Sequence, residues 1–159
     1  MLAAVVLAAG ASTRYGGVKQ HELLPAVLDT LRRTIVDEIV VVEGAHALDV
    51  EGARLVRCDD WERGPGASLR CGLAALGVEV TRAVIVLADG PELDPRAVDR
   101  LAAHAAPVAA ASYDGTRDHP VALDRSAWSD VPDEGGRALE PVLVDCSDLR
   151  APGDHDVRR

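Results

Sequence analysis

Apolar residues run unbroken from Leu2 to Ala9 and then give way to Gly10, Ser12, Thr13, Arg14, Gly16, Gly17 and Lys19. A run of this length is too short to span a bilayer and suits a strand buried on both faces, feeding a polar loop. Residues 21–33 follow with Leu23, Leu24, Val27, Leu28 and Leu31 at helical spacing and Arg32 and Arg33 near the end, the pattern of an amphipathic helix. Short apolar runs at 39–42, 53–56, 82–88, 107–111 and 142–145 read as further strands. Between them, a helix is expected to begin near Ser68 with Ser68 as its N-cap. Another is expected from Asp94 and Pro95, with Val98, Leu101 and Ala102 facing inward. Residues 113–123 read as a hairpin or crossing strand at the rim. Strands alternating with helices favour a parallel sheet, so the expected fold is α/β: one three-layer, Rossmann-like domain over residues 1–159 with a mostly parallel sheet.

Composition sharpens this picture. Apolar residues make up 48% of the 159, yet Phe is absent and aromatics are only 3%, so the core must come from Val, Leu, Ala and Ile. The formal net charge of −9 argues against a broad nucleic-acid or anionic-membrane surface, and an anionic ligand therefore needs a local basic pocket. No Lys or Arg precedes the first apolar run, which continues straight into the glycine loop, so no signal peptide is expected. Cys58, Cys71 and Cys146 lack paired metal spacing and are read as three reduced thiols of a cytoplasmic protein. No repeat or linker suggests a second domain, and a monomer or small homo-oligomer is expected.

The loop after the first strand carries the chemistry. Gly10, Gly16 and Gly17 let the backbone approach a ligand and aim N–H groups at phosphate oxygens. Arg14 adds a planar fork and Lys19 a compact mobile charge. The spacing is neither Gly-x4-Gly-Lys-Ser/Thr nor Gly-x-Gly-x-x-Gly. Asp89 closes the clearest buried strand and would point into the ligand crevice of an open α/β sheet, where a hard divalent ion needs oxygen ligands; otherwise it starts the turn before Pro91. Ser68, behind Gly64, either caps a helix or helps form an anion or base-edge site.

The segment from Leu7, Ala8, Ala9 and Gly10 through Ser12, Arg14 and Gly16 to Lys19 resembles the signature Leu-Ala-Ala-Gly-x-Ser-x-Arg-x-Gly-x-x-Lys of the MobA-like nucleotidyltransferases, which include molybdenum-cofactor cytidylyl- and guanylyltransferases. Further segments are similar. Trp61, Gly64, Ser68, Leu69 and Gly72 fit a second family stretch, with Cys58 where Asn is usual. Asp89-Gly90-Pro91 stands for Asp-x-Pro, in which the Asp is a metal ligand; Gly90 is neither the Gln nor the Met of relatives. His119-Pro120 matches an acceptor-side Gly-His-Pro, with Asp118 in place of the Gly. Residues 132–137, ending in Arg137, are similar to an acceptor-side loop, with Pro132 for its first Gly. Asp154 and Asp156 correspond to acids that complete the metal and acceptor site. A short family segment after Lys19 is missing here, and the tail is short.

The resemblance implies a fold like that of nucleotide-diphospho-sugar transferases. It also implies a Mg²⁺-dependent transfer of a CMP or GMP moiety from CTP or GTP to a small phosphorylated acceptor, with release of pyrophosphate. Its catalytic residues would be Arg14, Lys19 and Asp89. The nucleotide would meet Leu7, Ala8, Ala9, Gly10, Ser12, Thr13, Arg14, Gly16, Lys19, Gly64 and Ser68. His119 either orients an acceptor phosphate or caps a turn, and Arg137 either binds a phosphate or covers a helix start. Asp154 and Asp156 either join Asp89 at the metal or belong to a polar tail. The form of the loop is closer to the cytidylyl branch, which would make molybdopterin the acceptor. Two alternatives remain: transfer to a sugar or polyol phosphate, and a nucleotide-binding accessory module without turnover.

Overall fold

The computed structural model describes residues 1–9, 19–45, 47–48 and 50–153, without the side chains of residues 19–21, 136 and 137. The strands are β1 (Leu2–Leu7), β2 (Glu38–Glu43), β3 (Arg54–Arg57), β4 (Arg82–Leu87), β5 (Val108–Tyr113), β6 (Thr116–Asp124) and β7 (Val142–Asp145). The helices are α1 (Lys19–Arg32), α2 (Pro65–Ala74) and α3 (Pro95–Ala103). The strands form one seven-stranded sheet in the order β3-β2-β1-β4-β6-β5-β7. It is parallel except for β6, which runs antiparallel to both β4 and β5.

The continuous apolar runs become the inner strands because both faces of the sheet are covered. On one face, Ala4, Val6, Val41, Val84 and Val86 pack against Leu24, Val27, Leu28 and Leu31 of α1 and Val98 and Leu101 of α3. On the other, Ala3, Val5, Val40, Val42 and Ile85 meet Leu69 and Leu73 of α2 and Trp128 from the short helical turn Arg125–Asp130. This is the expected three-layer α/β arrangement. With almost no aromatic bulk, contact is close: a Cβ added at Gly72 of α2 would lie 2.7 Å from a Val5 methyl and 2.8 Å from a Val42 methyl.

Local signals also hold where the chemistry is short-ranged. Asp94 caps α3 by accepting the Arg96 N–H at 2.9 Å, and Pro95 opens the helix, where its missing N–H costs nothing.

Three expectations are corrected. Residues 113–123 do form the hairpin that the sequence allowed, but β6 lies inside the sheet rather than at its rim. α2 begins at Pro65, with Gly64 at its N-cap, so Ser68 is a buried residue within the helix. The cysteines are not all thiols. Cys58, just after β3, is disulfide-bonded to Cys71 of α2 with their Cα atoms 5.8 Å apart, and Cys146 alone is free and buried. The bond joins positions 13 residues apart, a spacing with no metal or framework signature, so only the folding of α2 back beside β3 brings the two sulfurs together.

Among the described residues, no helix is long and apolar enough to cross a membrane.

Candidate active site

From β1 the chain builds outward to β2 and β3, then returns to place β4 on the other side of β1. The carboxyl ends of β1 and β4 therefore flank the point where the strand order reverses, the place where open α/β sheets leave a crevice. A cleft of about 400 Å³ lies there. Leu7, Ile85, Leu87, Val121 and Leu123 give it an apolar lining, joined by Pro65 and Leu69 from the start of α2. Arg117, Asp118 and Glu134 bring charge to it, and His119 an imidazole.

Leu7 lines this cleft, and the two residues after it are clamped. The Ala8 N–H donates to the Val42 carbonyl at 3.0 Å and the Ala45 N–H donates to the Ala9 carbonyl at 3.2 Å, with both alanines buried. The chain thus leaves β1 from a fixed point beside the cleft. Gly10, Ser12, Thr13, Arg14 and Gly16 lie outside the described residues. Lys19 opens α1, and its side chain lies outside the description too.

At the second wall, the backbone donors at the start of α2 have partners within the protein. Gly66 N–H donates to the Asp133 carbonyl at 2.9 Å, and Ala67 and Ser68 N–H donate to the Gly64 carbonyl at 3.2 and 3.4 Å. Gly64, at φ 135°, is needed for the approach of residues 131–135. A Cβ there would sit 2.4 Å from the Asp133 carbonyl oxygen, and one at Gly66 would sit 1.6 Å from that of Pro132. Arg70 of α2 secures the same loop, donating to the Val131 carbonyl at 2.8 Å and to the Asp133 carboxylate, while Arg63 reaches that carboxylate at 3.4 Å. The Arg70 hydrogen bond, with Arg63 beside it, holds the Asp133 carboxyl below the usual range. Glu134 and Gly135 then line the cleft, and Arg137 follows in the short turn Gly136–Leu139 with its side chain undescribed.

Asp89 is half-buried immediately beyond β4, and the Ala88 N–H before it donates to the Leu7 carbonyl at 3.1 Å, so Asp89 stands beside the end of β1. Gly90 packs on the returning tail: a Cβ there would lie 3.0 Å from Cβ of Pro152, and the Glu92 N–H donates to the Pro152 carbonyl at 2.9 Å. The tail leading to Asp154 and Asp156 therefore passes next to Asp89, although those two acids lie outside the described residues. A small side pocket between Gly90, Gly153, Asp118 and His119 adjoins this place. Among the described residues no group of three His, Cys, Asp or Glu is poised around a metal. An oxygen donor at a strand end, next to a segment leading into two more acids, has the chemistry that a hard divalent cation requires.

His119 lies in the lining of the cleft, and Arg117 and Glu134 join it there without having been singled out. Asp118 stood out only as a departure. Nothing local in the sequence marks Glu134, because its place depends on the docking of residues 131–135 against α2.

The sequence profile of the MobA-like NTP transferase domain matches residues 4–143, which include every described strand from β2 to β6 and the whole cleft lining. The chain belongs to this family. Nucleotidyl transfer is the activity of the family. No curated protein matches the chain. Among solved structures, the Mycobacterium sp. strain JC1 homologue of Rv0371c is 25% identical with a TM-score of 0.82, over 98% of this chain and 90% of that one. Rv0371c from Mycobacterium tuberculosis is 27% identical with a TM-score of 0.80, over 98% and 93%. The same protein has been solved in complex with manganese, aligning at 24% identity and a TM-score of 0.71 over 91% and 88%. A nucleotidyl transferase from Methanothermobacter has the same fold at 20% identity and a TM-score of 0.78, over 99% and 92%.

Proposed function

We propose that this single-domain member of the MobA-like family transfers the CMP moiety of CTP to a phosphorylated acceptor, with molybdopterin the preferred acceptor. The observation that carries the reading is the cleft at the strand-order reversal, bounded by the end of β1 that leads into Gly10, the start of α2 and the Asp118–His119 stretch. In the reaction an acceptor phosphate oxygen bonds to the α-phosphorus of CTP as the α–β anhydride bond breaks, and the electron pair leaves on pyrophosphate. The acceptor oxygen is already an anion at neutral pH, so the protein has mainly to position two anions and offset their charge.

In this reading Leu7, Ala8 and Ala9 fix the exit of the loop, and N–H groups of Gly10, Ser12, Thr13 and Arg14 hold the β- and γ-phosphates, with Gly16 allowing close approach. Arg14 and Lys19 offset negative charge on the leaving group. Gly64 shapes the nucleotide wall, and Ser68, inside α2, supports it from behind. His119 and Arg137 orient the acceptor phosphate. Asp89, with Asp154 or Asp156, would hold Mg²⁺; the manganese complex of Rv0371c supports divalent metal use. The bound cation supplies charge neutralisation at the phosphates. Asp118 and Glu134 add negative charge around the acceptor, which favours an acceptor presenting N–H donors beside its phosphate, as a pterin does.

The test is pyrophosphate release with Mg²⁺ and each of CTP, GTP, UTP and ATP against molybdopterin, sugar 1-phosphates and polyol phosphates. Release with CTP and molybdopterin is expected, lost in Asp89→Asn while thermal stabilisation by CTP largely survives. Equal stabilisation by all four nucleotides would overturn the cytidylyl preference. Nucleotide binding without release from any acceptor would overturn transfer itself.

A further inference from the structure

The β5–β6 hairpin pairs Tyr113 with Thr116, Ser112 with Arg117 and Ala111 with Asp118, but the next pair is Ala110 with Val121. His119 and Pro120 are thus extra residues on β6, a bulge in a strand otherwise held between two neighbours. A bulge removes main-chain groups from the ladder and re-aims the side chains it contains. Pro120 has no N–H to lose, whereas His119 brings both an N–H and a carbonyl that need partners. Both are met by side chains. The His119 N–H donates to the Asp118 carboxylate at 2.7 Å, and the His119 carbonyl accepts the Tyr113 hydroxyl at 2.9 Å. The Tyr113 ring is only 8% exposed and packs in the core on the α1 and α3 face of the sheet. Burial pushes its phenol above its ordinary titration range, so the hydroxyl keeps the proton it donates.

We propose that Tyr113 is a positioning residue for the cleft: its hydroxyl fixes the bulge that turns Asp118 and His119 toward both the cleft and the adjoining side pocket. This inference rests on the reading of Asp118 and His119 as the acceptor side. Asp118 and His119 each border both cavities, and the His119 Nδ1 lies 3.6 Å from the Asp118 carboxylate. That spacing is set within a stretch that has only one ladder neighbour on the β5 side, because the β4–β6 ladder stops at Ile85 and Val121. Without the hydroxyl, the carbonyl of His119 must turn to another donor, and the side chains of Asp118 and His119, which lie just before that peptide, must turn with it.

Tyr113→Phe removes the hydroxyl and keeps the ring, and the readout is the His119 imidazole resonance in a 1H–13C spectrum, assigned by its loss in His119→Gln. The expected result is that this resonance moves and broadens, while the indole N–H of Trp128, held by the Leu123 carbonyl at 3.0 Å on the opposite face, does not. The affinity for inorganic phosphate, read from the perturbation of the His119 signal, should fall about tenfold, the effect of losing one oriented hydrogen bond. An unchanged His119 resonance in Tyr113→Phe overturns the proposal, as does a change shared equally by Trp128, which would mark a general loss of packing. If phosphate fails to perturb His119 in the unaltered protein, the acceptor-side reading falls, and the resonance comparison still decides the role of Tyr113.

Discussion

Gly66→Ala is the sharpest probe of how the cleft is walled. Helix propensity alone predicts stabilisation, because alanine at the second residue of α2 replaces the most flexible residue and gains at most about 0.5–1 kcal/mol. The structure predicts the reverse. The new methyl would stand 1.6 Å from the Pro132 carbonyl oxygen and 2.7 Å from the carbon of that carbonyl, so residues 131–135 must retreat by roughly 2 Å to restore ordinary contact. That retreat breaks the 2.9 Å bond from Gly66 N–H to the Asp133 carbonyl, worth about 1 kcal/mol. It also pulls Val131 and Asp133 away from Arg70, whose bonds to them are partly exposed to water. Overpacking adds about 1–3 kcal/mol, so with the lost hydrogen bond and after the helix-propensity gain the variant should be less stable by about 1–3.5 kcal/mol. For a chain of this size the melting temperature should fall by about 3–10 °C. Thermal and urea unfolding followed by circular dichroism measure this. Gly115→Ala is the control, since Gly115 has φ +82° with nothing within 4 Å of its added Cβ, and its cost is confined to backbone strain of about 1 kcal/mol. A Gly66→Ala protein as stable as the parent, or more so, would refute the claim that residues 131–135 are seated on α2.

Two further predictions concern charge and sulfur. The Arg100 guanidinium, hydrogen-bonded to Asp148 at 2.7 Å, holds that carboxyl at about 2, against an ordinary 3.8. Because the folded value is the lower one, the pair supports the fold fully above the range where the unfolded carboxyl titrates, and that support is lost as pH falls through 3.8 toward 2. A 13C titration of Asp148 should show the low midpoint. Asp148→Asn should flatten the acid limb of the stability profile, less so in high salt because the pair is exposed. A midpoint in the ordinary carboxyl range would refute the contact. For the cysteines, alkylation in denaturant without reductant should label Cys146 alone, and with reductant all three; Cys71→Ser should cost about 3 kcal/mol, the effect of opening a loop of this length. Three labels without reductant would refute the disulfide.

The hydrophobic pattern by itself determined the layers of this protein. Runs such as 83–88 are apolar at every position because both faces of the sheet are covered, and that can be read without knowing which helix covers which face. It also determined the cap at Asp94 and Pro95, since capping is settled within one helical turn. The same holds for the family and for the place of Leu7 and Asp89 at strand ends. Only the tertiary structure decided the rest, because each remaining feature is a contact between segments distant in the chain. Gly64 read as part of a nucleotide wall, and only the fold shows residues 131–135 packed against it and against Gly66. Ser68 read as a cap, but Pro65 fixes an earlier helix start. Cys58 and Cys71 read as thiols until α2 folded back beside β3. Residues 113–123 read as a rim, whereas insertion between β4 and β5 made them an inner strand and left His119 in a bulge that a buried tyrosine holds toward the cleft.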